Sequence, residues 1–553
     1  MLILPLIFCL TTSAASKATI VEPGLPDKAL HFGEKMYREG LLPSGEAMQA
    51  YVNGDTPAPG TSFTCISCHL RSGLGSIEGG INTPPTTGKY LFEKPEPINL
   101  TKYRHFDPSR PVYTDASFAA MLRGGVDPAG RVLNYVMPRY HLHDDDMAIL
   151  IRYLKRLSST FSPGVTEQEL HLATVITEPG NAEAEFYYRA LQTLIAQKNN
   201  MVKSFGKEPR KTRMAEAMLM SREAAFKRIV VKKWVLTGPP DTWRAQLEQH
   251  YRKEPVFALI GGFSAGSWQP VHQFSEEHQI PCLLPVTDFP VISDNDWYTL
   301  YFSKGLFQEG AAAARYLLRE TDGHDRGAVI QIVDDTVSAK ALRDGFNSVW
   351  DNGGATAART ILLTPGTSLQ VIFQQNKGAT FVCWTGNHAL AKLSEALLAG
   401  YGLRHIASYG YLGSTIYSLP PKARSSLFIT YPYRLPHQEK NYDAYVNSVS
   451  SVLHPSTPQQ VRLLKQAYAV YQVLSQALID LKGSYYRDAL LDVIGMNMAP
   501  GMGMGLVLDT TFPLYERFSF GPGQRYASKG CYIVQLTDEK NPGLINRSDW
   551  VIH

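Results

Sequence analysis

The sequence predicts a chain of two classes, a helical N-terminal domain followed by a longer α/β portion folded as two lobes. Three observations carry this. The chain has 553 residues, well above the roughly 100–200 usual for one domain. Helical periodicity brackets the first part, near residues 29–39 and 144–156. From about residue 170, strand-like apolar runs alternate with amphipathic helices, the pattern of a parallel sheet with crossover helices. Ser158 to Thr166, with Ser162-Pro163-Gly164 at its centre, marks the change.

Leu2 to Leu10 is an apolar run ending in Thr11-Thr12-Ser13-Ala14-Ala15. It is too short to span a bilayer and is shaped like a secretory core with a small-residue cleavage site. Residues 1–15 are therefore read as a signal peptide that sends the protein to the periplasm, and 16–29 as a linker. No Lys or Arg precedes the run. Cys9 raises a lipid anchor, against which bulky Phe8 argues.

A first helix is expected from about Ala29 to Glu39, with Gly33 small enough for a close helix crossing and Tyr37 one turn later. Cys65-Ile66-Ser67-Cys68-His69 follows. Cys-x-x-Cys-His is the spacing that attaches a c-type haem: two thiols two residues apart reach the two vinyl groups, and the next histidine lies beneath the iron. One covalently attached haem c is expected on Cys65, Cys68 and His69. A redox dithiol or half a zinc site are the alternatives, but no strand–helix frame surrounds the motif and no second Cys-x-x-Cys exists. Val136-Met137-Pro138 offers a thioether beside a proline-stiffened turn, making Met137 the leading second axial ligand. His105, His141 and His143 keep an imidazole alternative open. Asp144-Asp145-Asp146 then opens a helix with Met147, Leu150, Ile151 and Leu154 on one stripe and Lys155 and Arg156 near its end.

From about Leu30 to Leu157 these features resemble a class I c-type cytochrome: a first helix with Gly33 and Tyr37, the haem motif, a Met-Pro ligand loop and a final helix with Tyr153-Leu154. The resemblance implies an all-α cytochrome c domain over residues 30–160, with His69 and Met137 as axial ligands. That pairing leaves no open iron position and implies electron transfer with redox partner proteins.

After a linker at 161–169 the α/β portion begins. Expected strands at Leu172–Ile176, Arg228–Leu236, Val256–Ile260, Ile280–Val286 and Tyr298–Phe302 alternate with helices at Ala182–Gln197, Thr242–Tyr251 and Trp268–His278. A second series follows: Leu306–Leu318, Ala328–Val333, Ala339–Trp350, Thr380–Trp384 and Ala389–Leu398. Met201 to Ala225, rich in Lys, Arg and Met, is read as an insertion. Val256 to Gly262, Ile280 to Thr287, Gly327 to Gly354, Ala467 to Leu474 and Gly523 to Leu536 resemble type I solute-binding proteins, especially the branched-chain amino-acid-binding (Leu/Ile/Val) group. Coverage runs from about Leu170 to Asp538. It implies a two-lobed periplasmic-binding-protein-like domain over 170–553, with a small ligand held between hinged lobes.

The corresponding cleft should include Ser264-Ala265-Gly266-Ser267, whose amides and hydroxyls at a helix start suit a carboxylate or other anion; a plain helix cap explains the same serines. Thr287 and Asp288 follow the next strand. Asp334 and Asp335 offer carboxylates to an amine from the opposite lobe, or cap a helix, and Ser338 stands where the family often has glycine. Trp268, Trp384, Tyr409 and Tyr411 either line the cleft or pack the core. Met496, Met498, Met502 and Met504 suggest Cu(I) thioethers or, more simply, a glycine-rich loop. Cys282 and Cys383 read as buried thiols, leaving Cys531 without an obvious partner.

The formal charge of +4 comes without a dense basic run and gives no support for nucleic-acid binding. No segment after the leader is long and apolar enough to span a bilayer. The sequence thus reads as an exported monohaem electron-transfer protein with a small-molecule-binding domain, not itself an enzyme. One alternative is a haem-containing dehydrogenase, although Gly261-Gly262-Phe263-Ser264-Ala265-Gly266 lacks the Gly-x-Gly-x-x-Gly spacing. The other is a binding fold that has lost its ligand and docks a redox partner.

Overall fold

A computed structural model describes residues 28–53, 55–78, 81–94, 110–205, 227–320, 327–364, 366–439, 443–481, 483–497, 512–521 and 523–552. The leader at 1–15, Cys9, His105, most of the 201–225 insertion and the methionines from Met498 to Met504 lie outside these residues. The chain divides into two compact units, Met1–Thr160 and Phe161–His553. The division falls inside the Ser158 to Thr166 segment.

In the first unit, α1 (Lys28–Glu39) crosses α5 (Asp144–Arg156). The crossing is close because Gly33 lacks a side chain: a Cβ there would lie 2.4 Å from Tyr153 Cβ and 2.9 Å from the Ile149 carbonyl. Tyr37 and Tyr153 meet at 5.6 Å between ring centres. Met147, Leu150, Ile151 and Leu154 are buried on the core side of α5. Its three aspartates sit at the first turn and Lys155 and Arg156 at the last, complementing the helix dipole. Between them lie α2 (Ile66–His69), α3 (Gly88–Phe92) and α4 (Asp115–Gly124). Thr114 and Ser117 form a capping box at the start of α4, and Gly125 ends it at φ 74°, a left-handed position that glycine takes without a Cβ penalty.

The all-α expectation for this unit is corrected. β1 (Gln49–Val52) pairs antiparallel with β2 (Thr56–Pro59) and with β5 (Arg139–Tyr140), and β3 (Ser76–Glu78) pairs with β4 (Ile81–Thr83). The reason is local: Asn53, at φ 52°, reverses the chain between β1 and β2, and β1's other edge then takes up β5.

The large unit holds two sheets. The first is wholly parallel, ordered β10-β9-β8-β6-β7, with β6 (Glu169–Ile176), β7 (Arg228–Val235), β8 (Ala258–Ile260), β9 (Cys282–Leu283) and β10 (Thr299–Leu300). Its helices include α6 (Ala182–Phe205), α7 (Trp243–Lys253) and α8 (Gln269–Glu277). The second runs β12-β11-β13-β14-β15-β16-β17, from β11 (Val329–Val333), β12 (Arg359–Leu362), β13 (Thr380–Trp384), β14 (Arg404–Ser408) and β15 (Leu427–Tyr431) to β16 (Gly530–Leu536) and β17 (Leu544–Asn546). Strands β11 to β15 are parallel, while β16 and β17 are antiparallel additions. Full burial of β8, β11, β13 and β16 is what helices or further chain on both sheet faces demand.

Helices α9 (Gly305–Glu320) and α10 (Val337–Trp350) cross through reciprocal glycines. A Cβ on Gly310 would lie 1.9 Å from the Leu342 carbonyl, and one on Gly345 1.9 Å from that of Phe307. The chain passes between the sheets three times: after β10, after β15 into α11 (Pro458–Leu481), and before β16. At one crossing Tyr301 stacks on Tyr526 at 5.8 Å, and the Ser528 amide donates to the Phe302 carbonyl at 2.8 Å.

Candidate functional site

In the first unit, Cys65 lies at the N-terminal end of α2, and Cys68 and His69 lie within it. Three residues apart on one helical turn, the two thiols share a face. His69 is buried, and its Nδ1 lies 2.8 Å from the Pro84 carbonyl. A carbonyl only accepts, so Nδ1 carries the proton and Nε2 keeps the lone pair a metal needs. Burial lowers the His69 pKa against the opposing pull of that carbonyl. The segment is braced throughout: Ser76 Oγ donates to the Cys68 carbonyl at 2.8 Å, Tyr37 OH to Leu70 at 2.8 Å and Ser158 Oγ to Ser72 at 2.7 Å.

Met137 is half-buried against the same core, in a turn where the Val136 amide donates to Asn134 Oδ1 at 3.0 Å. Arg139 donates to the Met137 carbonyl and, at 3.1 Å, to that of Leu133. Tyr140 OH donates to the Phe63 carbonyl, two residues before Cys65. Strand β5 therefore ties the Met137 loop to the attachment segment. His141 packs beside Tyr51 at 4.6 Å between rings. Among the described residues no three His, Cys, Asp or Glu side chains gather as metal ligands, which gives the half-zinc reading no support. The residues fit a c-type haem in three respects: paired thiols on one turn, a histidine whose outer nitrogen is already committed, and a thioether loop fastened to the same segment.

In the large unit most of the expected cleft groups are spent on the protein itself. Ser264 is buried; its Oγ accepts from Thr177 Oγ1 at 3.0 Å and from the Gly266 amide at 3.2 Å. The Ala265 amide donates to Glu178 Oε1 at 3.0 Å, so a carboxylate of the chain takes the anion's place. Ser267 Oγ accepts from the Gln269 amide at 3.2 Å, just ahead of α8. Thr287 Oγ1 donates to the Gly266 carbonyl at 3.1 Å and accepts from the Phe289 amide. Asp334 is buried and saturated: Oδ1 accepts from the Thr336 amide and hydroxyl, and Oδ2 from the Gly386 amide at 2.9 Å and Tyr411 OH at 2.8 Å. Burial opposes its charge, but those donors outweigh it and hold the carboxyl below its ordinary value. Asp335 turns outward to Lys340 at 2.6 Å. Of these groups, Ser264, Thr287 and Asp334 already bond within the fold, while Ser267 and Asp335 are exposed. Trp268 and Trp384 are core residues, as are Cys282, Cys383 and Cys531.

Of that set, Thr287 and Asp288 line a cavity between the two sheets. Gly305, at φ 59°, starts α9 against Asp288, with space for no Cβ beside the Asp288 carbonyl at 2.4 Å. Asp288, Glu309, Tyr433, Gln466 and Tyr515 help enclose a cavity of about 50 Å³. Glu309 is buried and accepts from Ser408 Oγ at 2.8 Å, Thr430 Oγ1 at 2.6 Å and the Gly410 amide at 3.1 Å. Burial still lifts its pKa to about 7, those donors notwithstanding. Arg462, on α11, lies over Tyr433 at 4.8 Å and Tyr409 at 5.5 Å. Sequence reasoning missed Glu309, Tyr433, Arg462, Gln466 and Tyr515. A faint signal existed in Gln308-Glu309, a polar pair opening an otherwise alanine-rich helix. Arg462 lay one turn ahead of the apolar Ala467 to Leu474 stretch that drew attention to its helix.

No protein-family model matches the chain, and no curated protein matches it. Solved structures do. A branched-chain amino acid ABC transporter protein from Thermus thermophilus with bound valine aligns over 70% of this chain and 98% of its own, at 13% identity and a TM-score of 0.50. An ABC transporter substrate-binding protein from Sphaerobacter thermophilus aligns over 70% and 98%, at 15% identity and 0.49. At such identity the first likeness is one of fold: about 70% of the chain has the two-lobed α/β fold of type I periplasmic binding proteins.

Proposed function

We propose that the chain is an exported monohaem c-type cytochrome whose large unit is a solute-binding-like domain for a small ligand. The observation that carries the cytochrome half is Cys65-Ile66-Ser67-Cys68-His69 set on one helical turn, with the buried His69 ring oriented by Pro84. Cys65 and Cys68 would hold the group by thioether bonds, and His69 Nε2 and Met137 Sδ would bind its iron. A haem bound this way supplies one reversible electron at its iron. The chain's own part is to fix the imidazole through Pro84, to hold the Met137 loop through Arg139, and to keep the segment rigid through Ser76, Tyr37 and Ser158.

The ligand-binding half rests on the two-lobed fold and on a cleft that retains polar groups rather than a packed apolar plug. A retained polar cavity favours a small-molecule ligand over a fold used only for docking. Export rests on the apolar run from Leu2 to Leu10.

Met137→Ala, made in a host that matures c-type cytochromes, is the test. The oxidised parent is expected to show the thioether-to-iron absorption band and the variant to lack it, with a lower reduction potential. An unchanged band and potential would refute Met137 as ligand and return the choice to His141 or His143.

A further inference from the structure

Three histidines are buried among the described residues, and two of them are bonded. His69 lies 2.8 Å from the Pro84 carbonyl, and His272 lies 2.9 Å from Tyr301 OH and 2.8 Å from Asp296. The third, His405, is the second residue of β14; it is 4% exposed, and its Nε2 is buried without a hydrogen-bond partner. Aromatic rings stand where a partner would be. Phe381 of β13 stacks on the imidazole at 5.3 Å between centres, Phe373 meets it at 5.5 Å, and the two phenyl rings pack edge to face at 4.8 Å.

A neutral imidazole is tolerated in such a place, whereas an imidazolium with no acceptor is not. Burial accordingly pushes the His405 pKa down to about 4, with no neighbouring charge contributing. The surrounding elements explain that silence. Strands β13 and β15 and the helix Leu369–Gln375, which carries Phe373, have no charged side chain. Cys383 of β13 is kept neutral, its thiol pushed up to about 12 by burial. Arg404, the neighbour on β14, points to the opposite sheet face, over Phe428 at 5.8 Å and Tyr316 at 6.0 Å. On the helix Leu390–Leu398, which packs against Leu369–Gln375, Lys392 and Glu395 are half exposed and pair with each other at 2.9 Å.

For a proton to reach Nε2, one of the two covering rings must move. Phe381 is fixed, because β13 is laddered to β11 on one side and to β14 on the other. Phe373 sits on a helix of seven residues held down through Leu369, Ile372 and Phe373. So short a helix has little stability of its own, and such elements come away by local opening.

We propose that His405 is an acid-triggered latch: neutral, it lets the helix Leu369–Gln375 seal onto the second sheet, and protonation at Nε2 releases that helix while the sheet stays intact. With the helix in place the imidazole takes a proton only near 4, and with it released near the ordinary 6.5. Falling pH therefore favours release, by about a hundredfold between pH 7 and pH 4.

Hydrogen exchange of the full-length protein at pH 7, 5.5 and 4, each amide corrected for its intrinsic rate, tests this. Protection over Leu369–Gln375 is expected to fall at least tenfold from pH 7 to pH 4, while that of Val382 and Cys383 in β13 holds. His405→Phe keeps a ring and His405→Gln keeps a polar group, and neither takes a proton there. In both, the acid loss is expected to vanish. Phe373→Ala uncovers the imidazole, and the His405 titration followed by nuclear magnetic resonance is expected to move from near 4 toward 6.5. Equal loss of protection in the parent and in either folded His405 variant overturns the latch. So does protection in the parent that ignores pH, or loss shared by the helix and β13, which is unfolding of the whole lobe. A titration unmoved by Phe373→Ala removes this helix as the cover and overturns it as well.

Discussion

Glu309 shows how burial sets a side chain's chemistry in this fold. Removal from water raises its carboxyl to about 7 even though three donors favour the charged form, and nearby Asp288 adds to the rise. The unfolded value is the ordinary 4.5. Between these values the folded protein holds a proton that the unfolded chain has lost, so this group's contribution to stability falls as pH rises from 4.5 through 7. Glu309→Gln removes the titration. The stability of the parent minus that of Glu309→Gln is expected to fall across this window by up to ~3 kcal/mol, measured by denaturant unfolding at pH 4.5, 6 and 8. A flat difference would show that Glu309 stays charged throughout. At this scale the local spacing of Cys65, Cys68 and His69 corresponds to one helical turn. The donors to Asp334 on Gly386 and Tyr411 are 52 and 77 residues away. Spacing along the chain carries no trace of such a bond.

The α/β alternation after residue 170 was legible as elements because parallel strands buried on both faces read as continuous apolar runs. Boundaries were less so: Ile280–Val286 contracts to Cys282–Leu283, since the expected length came from apolarity and the ladder requires a paired neighbour. Strands β14 and β15 escaped notice, as Arg404-His405 and Ser408 in one and Thr430 in the other interrupt their apolar runs. The two small sheets of the first unit were hidden because strands of two to four residues carry almost no periodic signal. Gly310 and Gly345 are the places where element packing is least forgiving. A methyl group at Gly345 meets the Phe307 carbonyl of the facing helix, a backbone atom that cannot rotate away. Gly345→Ala is expected to cost about 2–3 kcal/mol despite its gain in helix propensity. A lowered unfolding midpoint of the large unit is the readout, and an unchanged one would mean that α9 and α10 can separate without penalty.

Taken whole, the chain joins two units, each with its own hydrophobic core. The division lies just ahead of Ser162-Pro163-Gly164, where proline and glycine end regular structure. The large unit has a two-lobed α/β fold in which Ser264, Thr287 and Asp334 bond within the fold. The small unit carries the electron-transfer claim, and everything there turns on whether Cys65 and Cys68 end as thioethers. The most direct measurement is the intact mass, under denaturing conditions, of the protein purified from a periplasm that matures c-type cytochromes. The processed chain plus one haem is expected, with that increment absent from a Cys65→Ala, Cys68→Ala variant. A chain without the increment, in which Cys65 and Cys68 are both alkylated by a thiol reagent, would contradict the account.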